Sequence, residues 1–462
     1  MTRNREAGQS LAFVAVGLVA LMGFAGLAID MGALRYDKRV EQTAADAAAI
    51  AGASNLAYGG VLTGALAASA SNGFSAASAG NGCPPPAPAT AVGSVAVSIN
   101  NPPCSGPHNG DSNYVEVYVS EVQPTFFMRV FGVNSETITA RAVATNVSAG
   151  AGSGCLYTVG TSGYGILMNG TNETINGPPC GIVDNASLLM NGSNDSITAG
   201  SIGVSGSATE NGTATASPKP ITGMPAGADP LAYLNSSAPS PASCRGSAKP
   251  VIINGRNPEP QMLPPGDYCG GIMINGTNTV TVGAGVFSGI MINGTGNNVT
   301  LSPGTYGRIT IDGSNANVTF NSGLYIINGN AGFVDNGSNL TLSGTGVTFY
   351  STADAGPITL DGSGLTANLS APTSGADVGM LLWQAPGDSN TITLNGNTST
   401  SLNGIVYAPS AQVTINGRNA VTPYFVLVTK NLLMNGASTL NLDNDASGFT
   451  GGSPIKDVTL VE

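Results

Sequence analysis

Residues 264–325 read PPGDYCGGIMINGTNTVTVGAGVFSGIMINGTGNNVTLSPGTYGRITIDGSNANVTFNSGLY, and this stretch decides the architecture. Four phrases in it, PPGDY, GAGVF, SPGTY and NSGLY, put Gly at 266, 285, 304 and 323 and an aromatic ring at 268, 287, 306 and 325, a step of 19 residues each time. A second marker keeps the same beat: NGT after Ile274, NGT after Ile292 and DGS after Ile311 recur at steps of 18 and 19. Two markers in one register are the signature of an internal repeat. Between them lie GIMI, TVTV, NVTL, RITI and NVTF, alternating β-branched runs bounded by Gly, Asn, Asp and Pro, which read as short strands. Asn-Gly also closes hairpins, so an antiparallel meander competes. A unit of 19 residues holding two or three strands favours a parallel coil, in which like side chains stack about 4.8 Å apart and Asn, Thr and aromatic residues form ladders. The turns of such a coil need Gly and Asn, which accept positive φ.

Outward from this stretch the pattern loosens but persists. LMNGTNETI starts at 167, LMNGSNDSI at 189, VIINGRN at 251, TITLNGN at 391, VTINGRN at 413 and LLMNGAS at 432. These spacings predict roughly a dozen rungs between 155 and 445 and a rod on the order of 60 Å long. Residues 205–250, rich in Ala, Ser, Pro and Thr, are expected to form an irregular surface excursion. The fold class predicted is therefore mainly β, with a long, right-handed parallel β-helix over 150–445 and a tail or cap over 446–462.

Composition agrees with an amide- and hydroxyl-coated body. Charged residues are only 9% of the chain, against roughly 25% in ordinary soluble domains, and Gly reaches 65 residues. With 15 basic against 26 acidic side chains and a net charge of -11, no basic footprint exists for a phosphate backbone, so nucleic acid is not an expected partner. Six cysteines fall in three sequential pairs, Cys83 with Cys104, Cys155 with Cys180 and Cys244 with Cys269, separated by 21, 25 and 25 residues. None lies in a CxxC, and His108 is the only histidine, so three local disulfides are expected rather than a metal centre. Free buried thiols are the alternative. Disulfides place the chain in an oxidising compartment.

The N-terminal part differs in kind. Gln9 to Ile29 is an uncharged run of 21 residues, preceded by Arg3 and Arg5 and ended by Asp30, long enough to cross a bilayer as a helix. It continues without a break into MGALRYDKRVEQTAADAAAIAGASNLA, so a retained signal-anchor over 1–30 is expected, running into a domain over 31–149. Met31, Leu34, Ala45, Ala48 and Ala49 form the expected apolar stripe of the continuing helix. Arg35, Lys38 and Arg39 outnumber Arg3 and Arg5, so flanking charge does not set the orientation; the cysteines and the polar body argue for export. Gly8, in AGQSLAF, is a candidate processing site, although Phe13 stands where type IV prepilins carry an acid. Farther on, Val95 to Ile99 and Tyr114 to Val119 alternate as half-buried strands. Pro124 is placed to open a short helix that packs Phe126, Phe127, Val130 and Phe131 on that sheet. A Cys83–Cys104 bridge would staple the loops flanking the Val95 strand.

The segment REAGQSLAFVAVGLVALMGFAGLAIDMGALRYDKRVEQTAADAAAIAGA resembles the N-terminal domain of TadG-like proteins associated with Flp (Tad) pilus assembly, with its basic start, apolar helix ending in Asp, charged turn and AADAAAxAGA helix. Residues 114–144, YVEVYVSEVQPTFFMRVFGVNSETITARAVA, resemble the strand, PTFF helix and strand that close the extracytoplasmic part of that family. DPLAYL, PPGDYCGGI, SPGTY, GTGVTFY and GIVYAPSAQVTING are similar to β-helical C-terminal regions of bacterial Tad-associated proteins. The resemblance implies a small α+β, pilin-like domain anchored in the bacterial inner membrane, the remainder in the periplasm or at the cell surface, and the Tad machinery or other envelope proteins as partners. It implies no catalytic residue and no cofactor.

Some parallel β-helices cleave polysaccharides, which makes the placement of the acids informative. A glycosidase needs two carboxylates at fixed separation and a lyase needs a base with a cation. Asp184, Asp195, Asp267, Asp312, Asp335, Asp361, Asp377 and Asp388 are available, with Arg256, Arg308, Arg418 and Lys430. Asp312, four residues from Arg308, is the nearest approach to an acid and base pair; most of the others sit in DG, DN or GD dipeptides that turn formation explains. Trp383 is the candidate glycan-stacking platform, with a buried core residue as the competing reading. His108 reads as a solvated turn residue. The chain is expected to be a non-enzymatic structural or adhesive protein, with surface glycans as candidate partners of its coil; a polysaccharide-binding module and a β-helical lyase or hydrolase are the alternatives.

Overall fold

The computed structural model describes residues 6–56, 60–75, 79–80, 89–145, 154–224, 226–257, 259–395, 400–418, 421–450, 453–455 and 459–461. The chain divides into one unit of residues 1–148 with 456–462 and a second of residues 149–455. It is mainly β: a long apolar helix, a small largely antiparallel sheet, then a parallel β-solenoid of about 12 turns.

In the first unit, α1 (Glu6–Ser54) runs 49 residues with no Pro to break it. Between Phe13 and Ile29 it is largely bare, Phe13 and Phe24 being 72% and 73% exposed, while Ala44, Ala45, Ala48, Ala49 and Ala53 are fully buried. The expected stripe thus holds at its Ala positions, but Met31 is exposed and Leu34 only half-buried. A second helix, α2 (Val61–Ser71), precedes β1 (Ala79–Gly80), β2 (Val95–Asn100), β3 (Tyr114–Pro124) and β4 (Ser135–Thr145), paired in that order. Val117 and Ala142 face each other across the antiparallel β3–β4 pair, and Ala140, Ala142 and Ala144 share one core with the alanines of α1. The strand Thr459–Leu460 adds antiparallel to β4, so the expected C-terminal tail completes this sheet and the solenoid is an insertion within the first unit's chain.

The solenoid is not wound in sequence order. Val251–Ile253 lies parallel on Ile272–Ile274, and the stack continues through Ile290–Ile292, Ile309–Ile311, Phe333–Asp335, Ile358–Leu360, Ile392–Leu394 and Val413–Ile415 to Leu432–Met434. The next coil is Ile166–Met168, followed by Leu188–Met190 and Ala208–Glu210. The coils that come first in the sequence therefore come last in the stack, and the chain enters the solenoid part-way along it. The predicted excursion over 205–250 is correspondingly shorter: Ala208–Glu210, Thr215–Ser217 and Ile221–Thr222 are coil strands.

Residues after 222 return to the far end as a strap along the coils. Fully extended, residues 223–250 reach about 90 Å, ample for a stack of roughly 50 Å. The strap is not a free surface loop. Leu231 and Leu234 are buried in the solenoid core. Asn185 exchanges two 2.7 Å hydrogen bonds with Gly227, Tyr407 donates its hydroxyl to Asp229 at 2.7 Å, and the Ala242 N–H reaches Thr305 Oγ1 at 3.1 Å. The Cys244–Cys269 disulfide then fastens the strap to the first coil, and Cys155–Cys180 joins two adjacent coils. Cys104 is disulfide-bonded, while Cys83 lies outside the described residues.

Stacked columns fill the interior. Tyr268, Phe287, Tyr306, Tyr325 and Phe349 form a ring ladder with centroids 5.6, 4.6, 5.8 and 5.3 Å apart. The step of 19 breaks within it, because Gly304 pairs with Tyr325 and not with Gly323. A slip of two residues returns every side chain to the same face, so the ring of Tyr325 stays inside.

Candidate functional site

After its last inward apolar residue, nearly every coil turns on Asn-Gly or Asp-Gly, as at Asn275-Gly276, Asn293-Gly294 and Asp312-Gly313. The glycine is required: its φ is +90° at Gly276 and +94° at Gly294, and a Cβ on Gly276 would lie 2.1 Å from the carbonyl oxygen of Gly255 below. The amides then stack. Asn275 donates to Asn254 at 2.8 Å, Asn293 to Asn275 at 3.0 Å, Asn336 to Asp312 at 3.0 Å and Asn435 to Asn416 at 3.1 Å. The Asn-Xaa-Ser/Thr sequons at Asn275 and Asn293 are these turns.

Beyond the turn lies a sheet face of polar rows. Thr279, Asn298, Asn317, Thr341 and Thr366 are in register along one row, and Thr281, Thr300, Thr319, Ser343 and Asn368 along the next. These positions alternate with buried Val280, Val299, Val318, Leu342 and Ala367, so the pleat turns them outward. None carries a charge. Between face and turn, Thr295, Asp312, Ser314, Asn336 and Ser338 line a shallow depression of about 330 Å³.

The sequence-identified acids are scattered over this architecture. Asp312 is exposed in that depression, but no ion pair joins it to Arg308 among the described residues; the two stand at opposite ends of the strand Ile309–Ile311. Asp184, Asp195, Asp335 and Asp388 are buried. Asp184 accepts from Thr158 Oγ1 at 2.7 Å and the Ala186 N–H at 2.9 Å, and Asp388 from Ser351 Oγ at 3.0 Å and the Asn390 N–H at 2.9 Å; burial raises the pKa of both. Asp335 occupies a position filled by Ile311 and Leu360 in the neighbouring coils, and burial pushes its carboxyl up to about 6. Asp267 accepts from the Arg245 N–H at 3.0 Å, Asp377 is half-buried with its pKa raised by burial, and Arg418 donates to the Ala437 carbonyl at 3.3 Å. Asp361, Arg256 and Lys430 lie in other coils. Among the described residues, no group of three His, Cys, Asp or Glu is placed to hold a metal.

Trp383 offers no sugar platform, being 2% exposed and edge-on to Tyr350 at 4.9 Å. His108 is not simply solvated; its ring stacks on Tyr114 at 3.9 Å. Sequence reasoning missed three buried acids: Glu41, pushed up to about 7 by burial, Glu173 and Glu116. Glu173, directly before the strand that pairs with Ser196, is pushed up to about 7 by burial, with the neighbouring Asp195 adding to the shift. Glu116 is the hub of the first unit, accepting from the Cys104 N–H at 2.8 Å, Ser105 at 2.7 Å, Asn100 at 3.0 Å and Arg141 at 2.8 Å. Burial opposes its charge, but these donors outweigh it and hold the pKa below the usual carboxylate range. Alternation at Glu116 between Val115 and Val117 was the only sequence signal, and it marks a face without revealing a partner.

The first unit also carries an Asp at the end of the apolar run. Asp30, 1% exposed, accepts the backbone N–H groups of Phe126, Phe127 and Met128 at 3.1, 2.8 and 2.7 Å, locking the helix to the loop after β3. Helix, Asp and PTFF loop belong to one constellation, and residues 8–55 match the TadE/G-like Flp pilus-assembly family while residues 32–144 match the Tad-like Flp pilus-assembly family. The N-terminal unit carries Tad pilus-assembly domains. No curated protein and no solved structure matches the chain. The Tad domains and the exposed apolar half of α1 together indicate membrane anchoring, and a Tad-associated envelope protein bearing a β-solenoid is the description they support.

Proposed function

We propose that this chain is a membrane-anchored, exported structural and adhesive component working with the Tad pilus machinery, its solenoid serving as a rigid contact surface for envelope or extracellular polysaccharide. The observation that carries this reading is the uncharged face of Thr, Ser and Asn rows beside an amide ladder. Such a face offers donors and acceptors at a period of about 4.8 Å without a desolvation cost for ions, which suits a long neutral polymer held by many weak hydrogen bonds. The disulfides support export. A non-catalytic role is favoured because Asp184, Asp195, Asp335 and Asp388 are buried within the coil and Asp312, the exposed acid, has no ion-pair partner among the described residues.

The test is attachment of cells making the full-length chain. Thr300→Arg with Thr319→Arg puts two long charged side chains on the face, and attachment or retention of soluble polysaccharide should fall at least 10-fold while the protein stays folded and membrane-bound. Unchanged attachment sinks the contact-face assignment. A glycan turned over by the wild type and not by Asp312→Ala would replace it with an enzyme.

A further inference from the structure

The loop after β3 was expected to pack its aromatic residues on the sheet. It does the opposite. Phe126, Phe127, Val130 and Phe131 are 65%, 46%, 84% and 73% exposed around a short 3-10 turn, Met128–Phe131. Four large apolar side chains held outward on one short loop leave unfavourable apolar surface in water, and the loop is held rigidly in that position. Asp30 clamps three consecutive N–H groups of the loop, and Phe127 lies against α1 so closely that a Cβ on Gly26 would meet its ring at 2.7 Å.

Gly26 lies inside the apolar run Gln9–Ile29 and Asp30 ends it. Four residues of helix between them amount to about 6 Å of rise, so the loop sits beside the last turn of the span. That is the depth of about 5–10 Å at which interfacial elements bury their apolar side chains. Around it α1 is equally bare: Phe24 is 73% exposed, Ile29 57% and Leu27 39%. Arg129, exposed on the same turn, can extend its guanidinium toward lipid phosphates.

We infer that residues Phe126–Phe131 are a second membrane anchor, inserted into the headgroup and acyl boundary of the bilayer that α1 crosses. The occupant of the exposed apolar surface is lipid. This rests on reading Gln9–Ile29 as a membrane span. Asp30 then ties the interfacial loop to the helix, so that the folded unit is fixed to the membrane at two points and cannot pivot freely about α1.

The experiment uses full-length protein in vesicles containing phospholipids brominated either near the headgroup or deep in the acyl chains. The native Trp383, buried in the solenoid, supplies a constant baseline. The Phe131→Trp variant should show fluorescence quenching at least twofold above that baseline with the shallow bromines and less with the deep ones. A Leu18→Trp variant, within the span, should be quenched by the deep bromines. Quenching at Leu18→Trp with only baseline behaviour at Phe131→Trp overturns the second anchor and leaves the span standing. Absence of quenching at both positions overturns the span and the anchor with it.

Discussion

The two units build their cores from different material. In the first, α1 meets the sheet through Ala44, Ala45, Ala48, Ala49, Ala140, Ala142 and Ala144, with valines from β2 and β3 between. Small side chains let the backbones approach, to the point that a Cβ on Gly52 would lie 3.0 Å from Val115 Cγ1. In the solenoid, each coil contributes large Ile, Leu, Phe and Tyr side chains that lie on their counterparts above and below. One core depends on closeness and should fail when something is added. The other depends on columns of bulk and should fail when something is removed.

The largest effect is expected at Phe320, which touches the rings of Tyr325, Phe333 and Phe349 at centroid distances of 5.4, 5.8 and 4.9 Å. Phe320→Ala should cost about 3–5 kcal/mol in denaturant unfolding of the solenoid; a loss below about 1 kcal/mol would mean that the columns are not what holds the coil. Next is the polar flaw in those columns. Asp335 carries a folded pKa of about 6 against an ordinary 3.8. Protonated Asp335 is the form the fold prefers, so its contribution is intact below about pH 4 and is lost as pH rises through 6. Asp335→Leu should remove that pH slope and raise stability at pH 7 by of order 2 kcal/mol. An unchanged slope in unfolding curves from pH 4 to 7 would assign it to other groups.

The complementary experiment is Ala142→Leu in the first unit, expected to cost about 1–3 kcal/mol by overpacking against α1. If it is neutral, the closeness of the helix and sheet is incidental. The smallest effect belongs to the amide ladder at the turns: Asn293→Ala removes the half-buried bond to Asn275 and should cost about 0.5–1.5 kcal/mol, because water replaces much of what is lost. A loss as large as that of Phe320→Ala would shift the weight of the solenoid from its interior to its turns.

Much of this was written in local residue patterns. Alternation in TVTV and NVTL identified strands, Asn-Gly identified the turns, and the equal spacing of the rings at 268, 287 and 306 identified stacking, since each is a relation between neighbours at a fixed period. The Ala-rich AADAAA run identified the closely packed half of α1 in the same way. The face that could meet a ligand was legible only as alternate Thr and Asn positions without an address. What the sequence could not contain was the order of stacking. Nothing local distinguishes LMNGTN at 167 from LLMNGA at 432, and the interface between them exists because a parallel coil accepts any rung whose columns match. The same holds for Phe126 and Phe131, apolar enough for a core and placed outside it by three hydrogen bonds to an aspartate about a hundred residues away. Period and polarity are properties of the chain, and its own residues determined coil, turn and apolar helix; which coil lies on which, and which apolar side chains face out, were decided by long-range contacts that form only when the whole structure is assembled.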